Sequence, residues 1–225
     1  MNCSSKTSPT QGYDRPIKPI GSPVRFVIRP AHAKDLPRLA EILADSFHPR
    51  DGLMTFVHPV LRLGIYEDLR NRMRNRSPHY ICLVAQMPSA TTPSPSNDYP
   101  AGDPQAIAPS SSDPLIGTVE MSLRSIHPWQ VGCTQFPYLS NLAVANSDRR
   151  QGGATQLLSA CEQIALEWGF REIYLHVLEN NPPAQRLYYK AGYRVRSIES
   201  SFASWVFRQP RRMLLHKHLQ PPSPP

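Results

Sequence analysis

Apolar residues along the middle of the chain change rhythm twice within forty positions. Leu139, Leu142 and Val144 give residues 137–145 the apolar character of a strand, which the turn and capping residues Asn146, Ser147 and Asp148 bring to an end. Beyond Gly152 and Gly153 the spacing becomes helical. Ala154, Leu157, Leu158, Cys161, Ile164, Ala165 and Trp168 share one continuous face, predicting a helix over 152–169 that packs on something. Residues 172–178 (EIYLHVL) predict a further strand, and Pro182 with Pro183 opens a helix over 182–191. The remaining pattern predicts strands at 24–30, 80–86, 115–124, 193–200 and 211–218, and helices at 34–48 and 58–76. Such an α/β order implies a central mixed sheet covered by helices.

Composition limits the picture to one domain with a real core, because several stretches of the 225 residues are unsuited to building one. Residues 1–23 are polar, and the 220–225 tail (QPPSPP) cannot bury anything; both are expected to be flexible. Between the apolar runs 81–85 and 115–121, residues 87–114 hold prolines at 88, 93, 95, 100, 104, 109 and 114 among Ser, Thr and Ala. This reads as a disordered insertion joining two strands. The domain itself is expected over 24–219.

Other classes are set aside. No apolar run reaches the roughly 18 residues a membrane helix needs, and the N-terminus lacks a secretory signal's apolar core, so a soluble intracellular protein is expected. Cys3, Cys82, Cys133 and Cys161 have no ligand-like spacing, and reduced thiols are expected. His48, His58, His79 and His127 form no HxxxH or HExxH series, so no metal is expected. The net charge of +8 is spread without a basic block or an aromatic-interleaved RNA motif, which argues against nucleic acid. The arginines at 70, 72, 74 and 76 read as a helix's solvated end.

The strand, turn and helix of 138–155 suit an anionic ligand. First-turn amides lack intrahelical partners and sit at the positive end of the helix dipole, where phosphate oxygens bind directly. Gly152 and Gly153 allow close approach, and Arg149 and Arg150 add charge and forked donors. An ordinary strand, turn and helix with two solvated arginines has the same local pattern. The downstream segment decides between them.

Together, Arg149, Gly152 and Ala154 and the later Asn180, Asn181, Ala184, Leu187, Tyr188, Lys190, Gly192 and Tyr193 resemble the GNAT superfamily of acetyl-CoA-dependent N-acetyltransferases. The first set matches its R/Q-xxGxG/A signature and the second its NNxxAxxLYxKxGY pattern. The likeness covers most of 24–219, and the wording near Phe47, over 62–70 and at YLSNLAV is most similar to plastid and cyanobacterial enzymes that acetylate protein lysines and N-termini.

The resemblance implies a GNAT fold: a splayed, mainly antiparallel mixed sheet opening between the strands that carry Val144 and His176, with acetyl-CoA as co-substrate in the gap. The backbone of Leu142, Ala143 and Val144 would pair with the pantetheine arm and offer an amide to the thioester oxygen. Arg150, Gln151, Gly152, Gly153, Ala154 and Thr155 would hold the pyrophosphate, with Arg149 ranked below Arg150 and Gln151. Asn181 either contacts the CoA arm or caps the helix at Pro182, or does both.

Tyr188 aligns with the family's general acid, a phenol of pKa about 10 facing a thiolate of comparable basicity. Tyr189 lies about 100° further round the helix. His176 stands twelve residues before Tyr188, where some relatives acting on protein N-termini carry a glutamate base. An imidazole is an alternative base, and a structural histidine is the other reading. Glu120 is a lesser candidate base. Trp129, Phe136 and Tyr138 lie near the acceptor entrance, as liners or as packing.

The acceptor amine must be neutral to attack. Deprotonating lysine at pH 7 costs roughly 4 to 5 kcal/mol, against about 1 kcal/mol for an α-amine. Protein lysines, protein N-termini or both are the expected acceptors, a small amine (a polyamine, an amino acid, an aminoglycoside) is the alternative, and a non-catalytic acyl-CoA-binding module is the alternative class. A cytoplasmic location is expected, with the plastid stroma second; oligomeric state is left open.

Overall fold

The computed structural model describes residues 26–47, 54–75, 77–87, 114–125, 135–199 and 210–220. Strand β1 (Val27–Pro30) leads through a 3-10 turn (Ala33–Asp35) into α1 (Leu36–Phe47), followed by α2 (Met54–Arg74), β2 (Tyr80–Gln86) and β3 (Leu115–Ser125). Then come β4 (Gln135–Val144), α3 (Gly153–Glu167), β5 (Glu172–Leu178), α4 (Pro182–Lys190), β6 (Arg194–Glu199) and β7 (Arg212–His218). The seven strands form one sheet in the order β1-β2-β3-β4-β5-β7-β6. Every neighbouring pair is antiparallel except β4 with β5, so the expected mixed, mainly antiparallel sheet is present.

Alternation along the strands supplies two cores, one on each face. On one face, Phe26, Ile116 and Leu139 meet Leu157, Cys161 and Ile164 of α3, while Ile173, Leu175 and Val177 of β5 extend the same layer. On the other, Cys82, Val84 and Ala143 pack against Leu39, Ile42 and Leu43 of α1 and Leu69 of α2. Helix α2 starts a turn earlier than the pattern predicts and carries Pro59 inside it. A proline that close to the start removes only one early hydrogen bond, so the helix continues through it.

The sheet parts where the family likeness implies. The β4–β5 register pairs Tyr138 with Tyr174 and Leu139 with Leu175 and goes no further. Between β3 and β4, Thr118 faces Ala143 but Glu120 faces Ser140, so Val119 stands opposite two residues, Asn141 and Leu142. This is a β-bulge, and it bends β4 as its pairing with β5 ends. Asn141 takes a left-handed φ of 53° to make it.

Cys82 and Cys161 are free and buried, and burial pushes the Cys82 thiol up to about 12, as suits inert core thiols. No helix among the described residues is long and apolar enough to cross a membrane. The two ends and most of the 87–114 insertion, for which flexibility is expected, lie outside the described residues, as do Cys3, Cys133, His48, His127 and Trp129.

One buried ion pair ties the start of the domain together. Arg29 donates from Nη1 (2.7 Å) and Nη2 (3.0 Å) to the Asp35 carboxylate and from Nε to Gln86 (2.6 Å), joining β1, β2 and the turn before α1. Burial raises the Asp35 pKa, but the Arg29 hydrogen bonds, the His32 amide and the arginine's charge outweigh it and leave the carboxyl below its ordinary value. The group is therefore stabilising above its unfolded pKa of about 3.9, and the contribution is lost as pH falls through the folded value. Asp35→Asn is expected to cost roughly 3 kcal/mol at neutral pH, since it strands a buried guanidinium. In denaturant unfolding the cost should shrink near pH 3; an equal loss at both pH values would contradict this assignment.

Candidate active site

The loop between β4 and α3 turns twice into the left-handed region, at Arg150 (φ 63°) and Gly152 (φ 96°). Alternating handedness of this kind aims successive amides at one point, forming a concave anion cradle just ahead of the free first-turn amides of α3. Gly152 is needed for its φ, because a Cβ there would meet nothing within 4 Å. Gly153 has a packing role besides the expected ligand approach. A Cβ there would lie 3.1 Å from Ile116 Cδ1, so this glycine lets α3 sit close on the sheet.

A cavity of about 560 Å³ opens over this cradle and runs along the parted edge of β4. Leu142, Ala143, Val144, Arg150, Gly152, Gly153, Ala154, Thr155, Asn181 and Tyr188 all line it. Gln151 does not, while Arg149 does, its Nε donating to the Val144 carbonyl at 3.2 Å. A second cavity of about 310 Å³ lies beyond the splay, and Leu142, Asn181, Ala184 and Tyr188 line both. Two chambers meet at one phenol.

The end of α4 holds that phenol. Asn181 caps the start, its side chain accepting from the Ala184 amide at 3.2 Å, with Pro182 and Pro183 in the first turn. At the other end Gly192 (φ 93°) donates to the Tyr189 carbonyl and Tyr193 donates to the Tyr188 carbonyl. These are the two bonds of a Schellman motif, whose usual companion is an apolar contact between the residues that Tyr188 and Tyr193 occupy. Their rings meet edge to face with centroids 6.0 Å apart, and Tyr193 is fully buried. Burial, and then the nearby Tyr138, pushes the Tyr188 phenol up to about 12, above the value of about 10 expected from sequence.

His176 lines the second cavity but both its nitrogens are engaged. Nδ1 lies 2.8 Å from the Tyr138 hydroxyl and Nε2 lies 2.9 Å from Glu199 Oε1. Tyr138, expected only as a liner or as packing, lines the second cavity beside the imidazole it bonds, with the Arg124 guanidinium 3.8 Å from its ring centroid. Glu199 on β6 was not singled out, and no local spacing signals it; only the pairing of β6 and β7 beyond β5 brings it to His176.

Glu120 is not placed as a base. It is 1% exposed, lines neither cavity, and accepts from Arg72 Nη1 (3.0 Å), Tyr80 hydroxyl (2.9 Å) and Asn141 Nδ2 (2.5 Å). Arg72 therefore leaves the solvated arginine run to reach a buried carboxylate. Elsewhere Glu172, His216 and His218 bring three potential ligand atoms within 4.8 Å of one another. Burial, and then His218 and Arg196, hold the His216 imidazole below its ordinary value, with Glu172 acting the other way.

Comparison with known proteins finds N-acetyltransferases. A profile of the acetyltransferase (GNAT) family matches residues 87–193. The chain is 29% identical over 189 residues to GCN5-related N-acetyltransferase 10, chloroplastic, of Arabidopsis thaliana, covering 81% of this chain and 67% of that protein. It is 36% identical over 78 residues to GCN5-related N-acetyltransferase 7, chloroplastic, of the same plant, covering 35% of this chain but only 28% of that protein. The chain thus spans about two thirds of the first relative's length and under a third of the second's. In fold it is similar to the PaiA N-acetyltransferase of Thermoplasma acidophilum, solved with coenzyme A (TM-score 0.58, 18% identity, 86% of this chain and 98% of that one). It is similar also to Arabidopsis thaliana NAA60 solved with a bisubstrate analogue (TM-score 0.53, 21% identity, 87% and 99%).

The two glycines of the cradle separate by experiment. Gly152→Ala is expected to weaken coenzyme A binding by about tenfold or more in calorimetry, because a left-handed φ costs an alanine roughly 1–2 kcal/mol and the cradle relaxes away from it. Gly153→Ala should chiefly lower the melting temperature. Equal losses of affinity at both positions would contradict the division of labour.

Proposed function

We propose that this chain, which carries a GNAT acetyltransferase domain, transfers the acetyl group of acetyl-CoA to protein amines, with protein N-termini favoured over lysines. The observation that carries the reading is the meeting of two chambers at Tyr188, an anion cradle on one side and an imidazole-backed cavity on the other. The 24–219 span would be the catalytic domain.

In this reading the cradle amides and Arg150 hold the pyrophosphate, while the free edge of Leu142 to Val144 pairs with the amide-bearing arm and points a backbone N–H at the thioester oxygen. A donor so placed is worth roughly 3 to 4 kcal/mol of barrier. The acceptor enters through the second cavity. With Nε2–H donated to Glu199, His176 Nδ1 accepts the Tyr138 proton, which leaves the Tyr138 oxygen free to accept from the attacking amine directly or through water. Tyr188 then protonates the departing thiolate.

The lining of the second cavity bears on the acceptor. Among the described residues it holds Arg212 and no Asp or Glu. Polycationic acceptors such as polyamines and aminoglycosides call for carboxylates there, so a peptide amine fits better. An α-amine also needs far less help to lose its proton than a lysine does. Of the two locations the sequence raises, the plastid is favoured over the cytoplasm by the relatives, both named chloroplastic.

Tyr188→Phe is expected to lower kcat on N-terminal peptides by about 100-fold, measured as thiol release, with little change in coenzyme A affinity. Because burial raises the phenol's pKa, the acid stays protonated throughout the working range. The wild-type rate should therefore climb with pH until the α-amine is neutral near about 8 and show no falling limb before about 10. An alkaline limb near pH 8 to 9 that persists in the phenylalanine variant would assign the acid to another group and refute the role of Tyr188, and acetylation of spermidine in preference to peptides would overturn the acceptor class.

A further inference from the structure

We propose that Glu120 and Asn141 form a latch that fixes the β4 bulge, and through it the Leu142 amide, in register for acyl transfer. Both are positioning residues, and the proposal rests on the acetyltransferase reading above.

Three observations converge on this pair. Asn141 is one of only two described non-glycine residues with positive φ, and the other, Arg150, lies in the anion cradle. Asparagine tolerates the left-handed region better than most residues, yet tolerance alone does not hold it there. Its side chain is held by donating to Glu120 across the bulge at 2.5 Å. The contact closes the loop of residues that the bulge opens.

The anchor itself is rigid. Glu120 sits on β3 with its carboxylate buried, and it is pinned from two further directions by Arg72 of α2 and the Tyr80 hydroxyl of β2. A buried carboxylate with three donors has little freedom to follow a moving strand. β4 has also lost its β5 partner just before this point. The latch replaces, from the β3 side, the restraint that a β5 ladder would have given.

Position explains why this matters for chemistry. Leu142 follows Asn141 directly and lines both cavities, so any drift of the bulge moves the amide that faces the thioester. Misplacement of a reacting group by about 1 Å costs as much as 100-fold in rate. A network that served folding alone would have no reason to act on the rate of the folded protein.

Two variants test the latch. Asn141→Gly keeps the left-handed backbone without strain but removes the anchor, and Glu120→Gln keeps the shape but removes the charge. Each is assayed for kcat, for KM with acetyl-CoA, for melting temperature, and for amide hydrogen exchange of the 139–144 segment with coenzyme A bound. The expected result is a loss of about tenfold or more in kcat with KM for acetyl-CoA held within about threefold, together with faster exchange of that segment. A kcat within twofold of wild type for folded Asn141→Gly, or unchanged exchange in both variants, would overturn the proposal. Should the wild-type protein acetylate no amine, the function reading fails instead, and the exchange data alone then decide whether the latch exists.

Discussion

Two parallel strands that begin a ladder and then abandon it impose the condition to which the rest of the molecule answers. β4 and β5 are joined at Tyr138–Tyr174 and Leu139–Leu175 only, and past that point each has a face of backbone without its natural partner. Backbone groups removed from water without hydrogen bonds are costly, so a gap of this kind persists only where something else holds the strands apart and something else can fill it. Residues of α3 and α4 share one buried cluster on one face of the sheet. In the proposed reading, the filling would be an extended ligand whose amides stand in for a strand.

The separation also explains how the chemistry is divided among elements. The cradle comes from the loop leaving β4, the phenol from the last turn of the helix that follows β5, and the imidazole from β5 itself. None of these is near another in sequence, yet all converge on the gap because the strands that carry them diverge from a common short ladder. Raising the Tyr188 pKa follows from the same closure. The phenol is buried where the two chambers meet, which keeps it protonated while reducing its readiness to give the proton away.

Much of this was legible in the sequence because it is written in local patterns. The helical face of α3, the 172–178 strand and the Asn-Pro-Pro start of α4 depend on periodicity and caps, and the structure places each within a residue or two of expectation. The family likeness added the sheet's parting, which periodicity does not reveal. What escaped was set by pairing at a distance. Glu120 reads as a free carboxylate until β2 and α2 bring Tyr80 and Arg72 to it, and Glu199 has no meaning until β7 threads between β5 and β6. Arg149 reaches both the Val144 carbonyl and the cavity wall beside a left-handed turn at Arg150 that residue type does not reveal.

The turn that ends α4 shows how a fold and a site come to share residues. Gly192 and Tyr193 line neither cavity, yet the backbone bonds they donate and the ring that Tyr193 presses against Tyr188 set the direction of the phenol. A survey of inactive variants would therefore score both alongside the residues that meet the ligand. In the proposed reading, distance from the ligand, more than severity of the defect, separates the group that would move the proton from the groups that aim it.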